Sequence, residues 1–222
     1  MINLILEPQL NEELTGRYAL NIQDIIKLER NRSSCNWIPT YGFVTYLANS
    51  IGAAKVCEVG VAYGYHAEHI LDTMVNVEYQ GIDPYLAGYD PEDCFVPDVA
   101  AMFAAEPQKA MDRLFAVVSC KLSFYCGRAN LIRKPSVVGA AQFVDGYFDL
   151  VYIDGDHTFA GVMADLQAWY GKVRKGGIIC GDDFNWKGVN QAVLSFMTDR
   201  ERTVMGHSGP TDTYPTKWSV VI

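Results

Sequence analysis

The sequence has no surplus of positive charge. Its 18 Lys plus Arg stand against 26 Asp plus Glu, a formal net charge of −8 over 222 residues. Such a balance repels phosphate backbones and anionic lipid head groups, which excludes nucleic acid and membrane as expected partners. No apolar run approaches the roughly twenty residues that a membrane span needs. Met1 to Leu10 also lacks the basic start and long apolar stretch of a secretion signal. The expectation is therefore a soluble, cytoplasmic protein. Cys35, Cys57, Cys94, Cys120, Cys126 and Cys180 show no C-x-x-C spacing, so neither a zinc site nor a disulfide framework is indicated. Cys57 and Cys180 fall inside apolar strand-like runs and read as core packing. Internal repeats, low-complexity tracts and Pro/Ser linkers are missing too. With 50% of residues apolar, the length suits one domain, 1–222, comprising an N-terminal helical cap (1–54) and an α/β core (55–222).

Two helices are predicted in the cap, over Ile22 to Arg32 and Tyr41 to Ile51, the second with Phe43, Val44, Leu47, Ala48 and Ile51 at helical spacing. From Lys55 short apolar runs alternate with helical stretches. KVCEVG, a helix from Tyr65 to Thr73 and VEYQGID make one βαβ unit. A Pro, Asp and Gly-rich loop from Tyr85 to Pro107 follows. The alternation resumes with KLSFYC, a helix over Ala129 to Gln142, FDLVYID, a helix over Phe159 to Val173, GGIICGD and a helix over Val189 to Thr198. Strands alternating with helices predict a parallel sheet covered on both faces. The last two runs, RTVMGH and KWSVVI, leave no room for a crossover helix and should pair antiparallel. The predicted fold is a doubly wound, Rossmann-like α/β/α sandwich whose seven-stranded sheet is mostly parallel, with an antiparallel C-terminal strand.

Chemistry concentrates at the strand ends. VCEVGVAYGYHAEHI is an apolar strand running into a glycine turn and then a helix, the usual ligand-binding turn of a doubly wound sheet. Gly60 and Gly64 lack Cβ, so backbone can approach a ligand there. The pattern is E-x-G-x-A-x-G, not the G-x-G-x-x-G of dinucleotide sites. Glu58 would repel a pyrophosphate but suit an ammonium group, which separates a sulfonium amino acid from a dinucleotide. The next strand ends in GIDPY, where Asp83 is placed to accept hydrogen bonds from two ribose hydroxyls, a feature that a nicotinamide enzyme would share.

From about Ile38 to Phe184 the sequence resembles class I S-adenosylmethionine-dependent methyltransferases, particularly small-molecule O-methyltransferases. VCEVGVAYGYHA is similar to their first motif and GIDPY to their ribose motif. FDLVYIDGDHTFAGVMADLQAWYGKVRKGGIICGDDF is similar to their fourth and fifth strands. The resemblance implies S-adenosylmethionine held by Glu58, Gly60, Ala62, Tyr63, Gly64, His66, Asp83, Pro84 and Asp154. It places Gly127 and Arg128 of YCGRAN against the adenine, and gives His66 the position of a Ser that contacts the cofactor carboxylate. The catechol and caffeoyl-coenzyme A branches carry a metal-binding Asp after the fourth strand and an Asp-Asn pair after the fifth. Asp154, Asp182 and Asp183 match these positions, with Asp183 departing from Asn. Three converging carboxylates also invite Mg²⁺ or Mn²⁺ on charge grounds alone. The alternative for these acids is turn, capping and solvated rim roles. His157 stands where those branches place a catalytic Lys and could remove a hydroxyl proton, or it could cap the following helix. Trp37, Tyr41, Tyr89 and Trp186 are candidate walls for a planar acceptor.

The implied activity is methyl transfer to an oxygen of a small-molecule acceptor, with Asp154 and His157 as catalytic candidates and a second copy of the chain as a candidate partner. Two alternatives remain at this point. One is a non-catalytic S-adenosylmethionine-binding or interaction protein with the same fold, and the other is a nicotinamide-dependent oxidoreductase, which the glycine pattern disfavours.

Overall fold

The computed structural model describes residues 21–35, 41–89, 95–209 and 212–222. Trp37 and Cys94 lie outside them. The chain divides into two compact units, Met1–Cys35 with Tyr85–Phe124, and Asn36–Pro84 with Tyr125–Ile222. The two helices read as one cap thus fall in different units: α1 (Ile22–Arg32) in the first and α2 (Gly42–Ser50) in the second.

The larger unit holds β1 (Lys55–Val59), α3 (Tyr65–Thr73), β2 (Glu78–Ile82), and then, beyond the first unit's helices α4 (Phe95–Phe103) and α5 (Pro107–Ser123), β3 (Ala129–Ile132) and α6 (Ser136–Ala140). It continues with β4 (Phe148–Ile153), α7 (Phe159–Trp169), a 3₁₀ turn over Tyr170–Lys172, β5 (Val173–Gly181), α8 (Lys187–Thr198), β6 (Met205–His207) and β7 (Lys217–Val221). The seven strands form one sheet in the order β3-β2-β1-β4-β5-β7-β6. β1 to β5 are parallel, and β7 runs antiparallel to both of its neighbours. Right-handed crossovers run leftward from β1 to β2 and rightward from β4 to β5, so α3 and α7 cover opposite faces. The winding reverses between β1 and β4, which opens a crevice at their carboxyl ends.

Each half of the core follows from its pattern. On α7, Val162, Leu166 and Trp169 recur at helical spacing and pack with Phe148, Ile179 and Trp218 from the sheet. Cys57 and Cys180 are fully buried within this core. The larger departures from the expected elements lie between Tyr85 and Gln142. The expected loop contains α4. KLSFYC is not a strand, because Lys121–Ser123 close α5, whose buried Ala110, Met111, Leu114, Val117, Val118 and Leu122 have a helical period. A turn with Cys126 at φ 52° and Gly127 at φ 80° then reverses the chain, and the third strand is Ala129–Ile132. The helix expected from Ala129 shrinks to Ser136–Ala140, started by Pro135.

Candidate active site

Strand register assembles the site. Val59 pairs with Ile82 and with Ile153, and Ile153 pairs with Gly181, so the next residues, Gly60, Asp83, Asp154 and Asp182, emerge at one level along the carboxyl edge. The glycine turn is stitched to its neighbours. Gly60 N–H donates to the Ile82 carbonyl at 2.9 Å, and Asp154 N–H donates to the Val59 carbonyl at 2.8 Å. Gly60 has φ 90°, and a Cβ there would lie 1.9 Å from the Asp154 carbonyl oxygen, so only glycine fits. Asp83 Oδ2 accepts the amides of Val61 at 3.0 Å and Ala62 at 2.9 Å, which holds Ala62 at φ 49° and ties the ribose candidate to the turn. Tyr63 stacks on Tyr65 at 5.4 Å, and the Pro84 carbonyl accepts from Arg133 Nε at 3.3 Å. Gly64, at φ 74°, opens α3.

Beneath the turn Glu58 is 1% exposed. Its Oε1 lies 2.8 Å from His66 Nδ1, and its Oε2 accepts from the Tyr79 hydroxyl. Each carboxylate oxygen therefore has a partner within the protein and keeps capacity for a second hydrogen bond, direct or through water. Tyr41 and Tyr152 flank the His66 ring at 4.7 and 4.9 Å.

Gly127 and Arg128 need correction. Because the third strand begins after them, they sit at its amino end, opposite the glycine turn. The Arg128 guanidinium donates to the carbonyls of Met74 at 3.1 Å and Leu71 at 3.2 Å, capping α3 and not an adenine.

At the ends of β4 and β5 the acids separate into two groups. Asp154, His157 and Asp183 each offer a ligand atom within 4.8 Å of the others. Asp182, the remaining expected ligand, is not in that set: its Oδ2 accepts from Lys217 Nζ at 2.6 Å and from the Tyr152 hydroxyl at 3.2 Å, a hydroxyl that also lies 3.4 Å from Asp154 Oδ2, while its Oδ1 accepts the Asp183 amide at 2.9 Å. His157 takes its place in the converging set, with Nε2 at 2.9 Å from Asp183 Oδ2 and its ring against Trp186 at 4.9 Å. The helix cap is not His157 but Thr158, whose Oγ1 accepts from Gly161 N–H, while Asp156 Oδ1 accepts from Thr158 N–H at 2.7 Å. Burial, and then the charges of Asp182 and Asp183, push the Asp154 carboxyl well above the usual carboxylate range, against a smaller opposing pull from His157. The Tyr152 hydroxyl is also driven up, first by burial and then by Asp154 and Asp182. A carboxyl so placed favours a proton or a cation. Two carboxylates and an imidazole fit a divalent ion, so Asp154, His157 and Asp183 are the residues that could hold one.

Lys217, Tyr79 and Tyr152 were not legible as site residues. For Tyr152 the signal lay in the register, which sets it beside Glu58. His207 bonds Ser219 at 2.8 Å, away from this set. Among the described residues no helix is long and apolar enough to cross a membrane.

Residues 57–184 match the profile of a methyltransferase domain. The chain belongs to that methyltransferase family. The fold of this methyltransferase is shared by solved proteins of low identity. A protein classed as a caffeoyl-CoA O-methyltransferase from Staphylococcus aureus superposes with TM-score 0.56 at 11% identity, over 90% of this chain and 100% of its own. The SAH-bound Podospora anserina methyltransferase PaMTH1 gives 0.56 at 14% identity, over 100% and 97%. A protein classed as an O-methyltransferase from Klebsiella pneumoniae gives 0.57 at 15% identity, over 96% of each chain. No curated protein matches the methyltransferase in sequence.

Proposed function

We propose that this methyltransferase moves the methyl group of S-adenosylmethionine to an oxygen of a small-molecule acceptor in the cytoplasm. The observation that carries the reading is the pairing of His157 with Asp183 beside Asp154, one strand from the glycine turn. The turn from Gly60 to Gly64 would lie along the cofactor, and Asp83 with Pro84 would meet the ribose. The sulfonium is already activated, so the protein must chiefly align the acceptor oxygen, methyl carbon and departing sulfur and exclude water. Paired with Asp183, His157 would take the acceptor proton. The bond from oxygen to methyl forms as the bond from methyl to sulfur breaks, leaving S-adenosylhomocysteine.

A second reading is favoured by the convergence of Asp154, His157 and Asp183 within 4.8 Å. These residues would hold Mg²⁺ or Mn²⁺, which when bound lowers the pKa of a coordinated hydroxyl. The test is methyl release to a panel of hydroxylated acceptors, with and without chelator. Binding of S-adenosylhomocysteine should raise the melting temperature, NAD should not, and Asp83→Ala should weaken the first effect. If transfer persists in chelator, His157→Ala should lower it by about 100-fold or more. If transfer stops in chelator and returns with Mn²⁺, His157 serves as a ligand instead. A chain that binds no S-adenosylhomocysteine would overturn the proposal.

A further inference from the structure

Trp218 poses a hydrogen-bonding problem. It is fully buried on β7, yet among the described residues no protein group accepts from its indole Nε1–H. Trp169, in the same core, donates from Nε1 to Ser136 Oγ at 2.8 Å, so an indole without an acceptor is not the rule there. A buried donor left unmet loses its hydration and gains nothing in return.

Trp218 lines a cavity of about 10 Å³, the room that one water molecule needs. Ile153, Val162 and Val189 give it apolar walls, and four aspartates also line it. Three of these have close partners. Asp182 is met by Lys217 and by the Asp183 amide, Asp156 by the Thr158 amide, and Asp183 Oδ2 lies 2.9 Å from His157 Nε2. Asp154 has only the Tyr152 hydroxyl, at 3.4 Å, and that hydroxyl has one hydrogen to give and lies nearer Asp182, at 3.2 Å. The cavity thus joins a donor without an acceptor to an acceptor short of a donor. A cation in it would meet the hydrogen of an indole, and an anion would meet carboxylates. Water is small enough and both accepts and donates.

We infer that one water molecule occupies this cavity and bridges Trp218 Nε1–H to the Asp154 carboxylate, which makes Trp218 a positioning residue for the acid at the end of β4. Trp218 pairs with Gly181 at the end of β5, and a Cβ on Gly181 would lie 2.7 Å from the indole nitrogen. The fold therefore fixes the donor at the carboxyl edge before anything binds. The bridge orients Asp154 whether or not a cation is held beside it. Its consequence for methyl transfer rests on the reading of the chain as an S-adenosylmethionine enzyme, whereas the bridge itself does not.

A crystal structure of the unaltered protein grown with chelator should show a single water within hydrogen-bond distance of both Trp218 Nε1 and an Asp154 oxygen. A dry cavity, or a water that misses either group, overturns the inference. In solution the four tryptophans give four indole N–H resonances. Trp218→Phe assigns the relevant one, or, should that variant not fold, Trp→Phe changes at the other three positions assign it by elimination. Hydrogen bonding moves an indole proton downfield, so the Trp218 signal should lie near that of Trp169. Asp154→Ala should move it upfield and leave the Trp169 signal in place, which also shows that the core is kept. A Trp218 signal that starts upfield, or that ignores Asp154→Ala, overturns the bridge as well. Trp218→Phe should lower kcat for methyl transfer by about tenfold. Affinity for S-adenosylhomocysteine should stay within twofold, because the glycine turn and Asp83 are untouched. An unchanged kcat, or parallel loss of kcat and affinity, would reduce Trp218 to packing and end the positioning role. Failure of the unaltered protein to transfer methyl groups would strike the functional reading instead, with the water and the indole signal still deciding the bridge.

Discussion

The two ends of strand β4 carry aspartates in opposite circumstances. At the amino end Asp149 accepts the amides of Ala54 and Lys55 at 2.8 Å each and Arg174 Nε at 2.5 Å. Burial works to raise its carboxyl, but Arg174 and the two amides outweigh it and hold the group below the usual range. At the carboxyl end Asp154 is pushed the other way, by burial and by two further acids. Residue type and strand are the same, so the difference is what the fold has placed around each. Asp149 has its lone pairs met by donors, whereas Asp154 is left with surplus charge that its surroundings tolerate at a cost in stability.

The largest effect that would break this comparison is expected at Gly60, where the carboxyl ends of β1 and β4 touch through backbone. Gly60→Ala combines an unfavourable φ of 90° with a Cβ 1.9 Å from the Asp154 carbonyl oxygen, which cannot move without shifting a strand. A loss of ~4 kcal/mol or more is expected in urea unfolding. Gly88→Ala is the control, because φ is 76° there but nothing lies within 4 Å, and only ~1 kcal/mol should be lost. Equal losses in the two variants would mean that the torsion alone matters and that the strand ends are not in tight contact.

A smaller effect sharpens the comparison at Asp165 on α7, just under the loop that carries His157. It is 4% exposed, and burial raises its carboxyl to about 7, opposed by a hydrogen bond from Ser136 and helped by the charge of Asp156. Because the folded value lies above the unfolded one, this group's stabilisation is complete below about pH 4 and is lost as pH rises through about 7. The shift corresponds to ~4 kcal/mol as a ceiling. Asp165→Asn should therefore be more stable than the parent at pH 8 by ~2 kcal/mol, with little difference at pH 4. A variant with the parent's pH slope would show that Asp165 ionises normally within the fold.

Much of the carboxyl edge was legible because its strands are central. KVCEV, FDLVYI and GGIICG are almost wholly apolar, and each breaks into glycine or an acid where the sheet ends. The third strand escaped notice for the converse reason. It is an edge strand in which no residue is fully buried, so ANLI carries no run, while KLSFYC imitates one at the end of a longer helix. That slip carried Gly127 and Arg128 to the wrong end of the sheet. Charge pairing was hidden in another way. Lys217 meets Asp182 only because the C-terminal hairpin inserts β7 beside β5, a contact between residues far apart in sequence.

The smallest effect belongs to the amino end. Asp149→Ala removes an acceptor from two backbone amides and a guanidinium, and leaves the amides to find water. Arg174 is 40% exposed, so its share of the pairing is screened and the amides supply most of the loss. A destabilisation of ~2 kcal/mol is expected at pH 7. Since the folded Asp149 carboxyl is held below its unfolded value, its stabilisation is present above about pH 4 and disappears as pH falls through the lower folded value. The gap between parent and variant should accordingly narrow in acid, the reverse of the behaviour at Asp165. Affinity for S-adenosylhomocysteine should not change, because Asp149 lies a strand's length from the glycine turn. Should the variant keep its stability and lose that affinity, the contrast drawn between the two ends of β4 would fail where it is most easily measured.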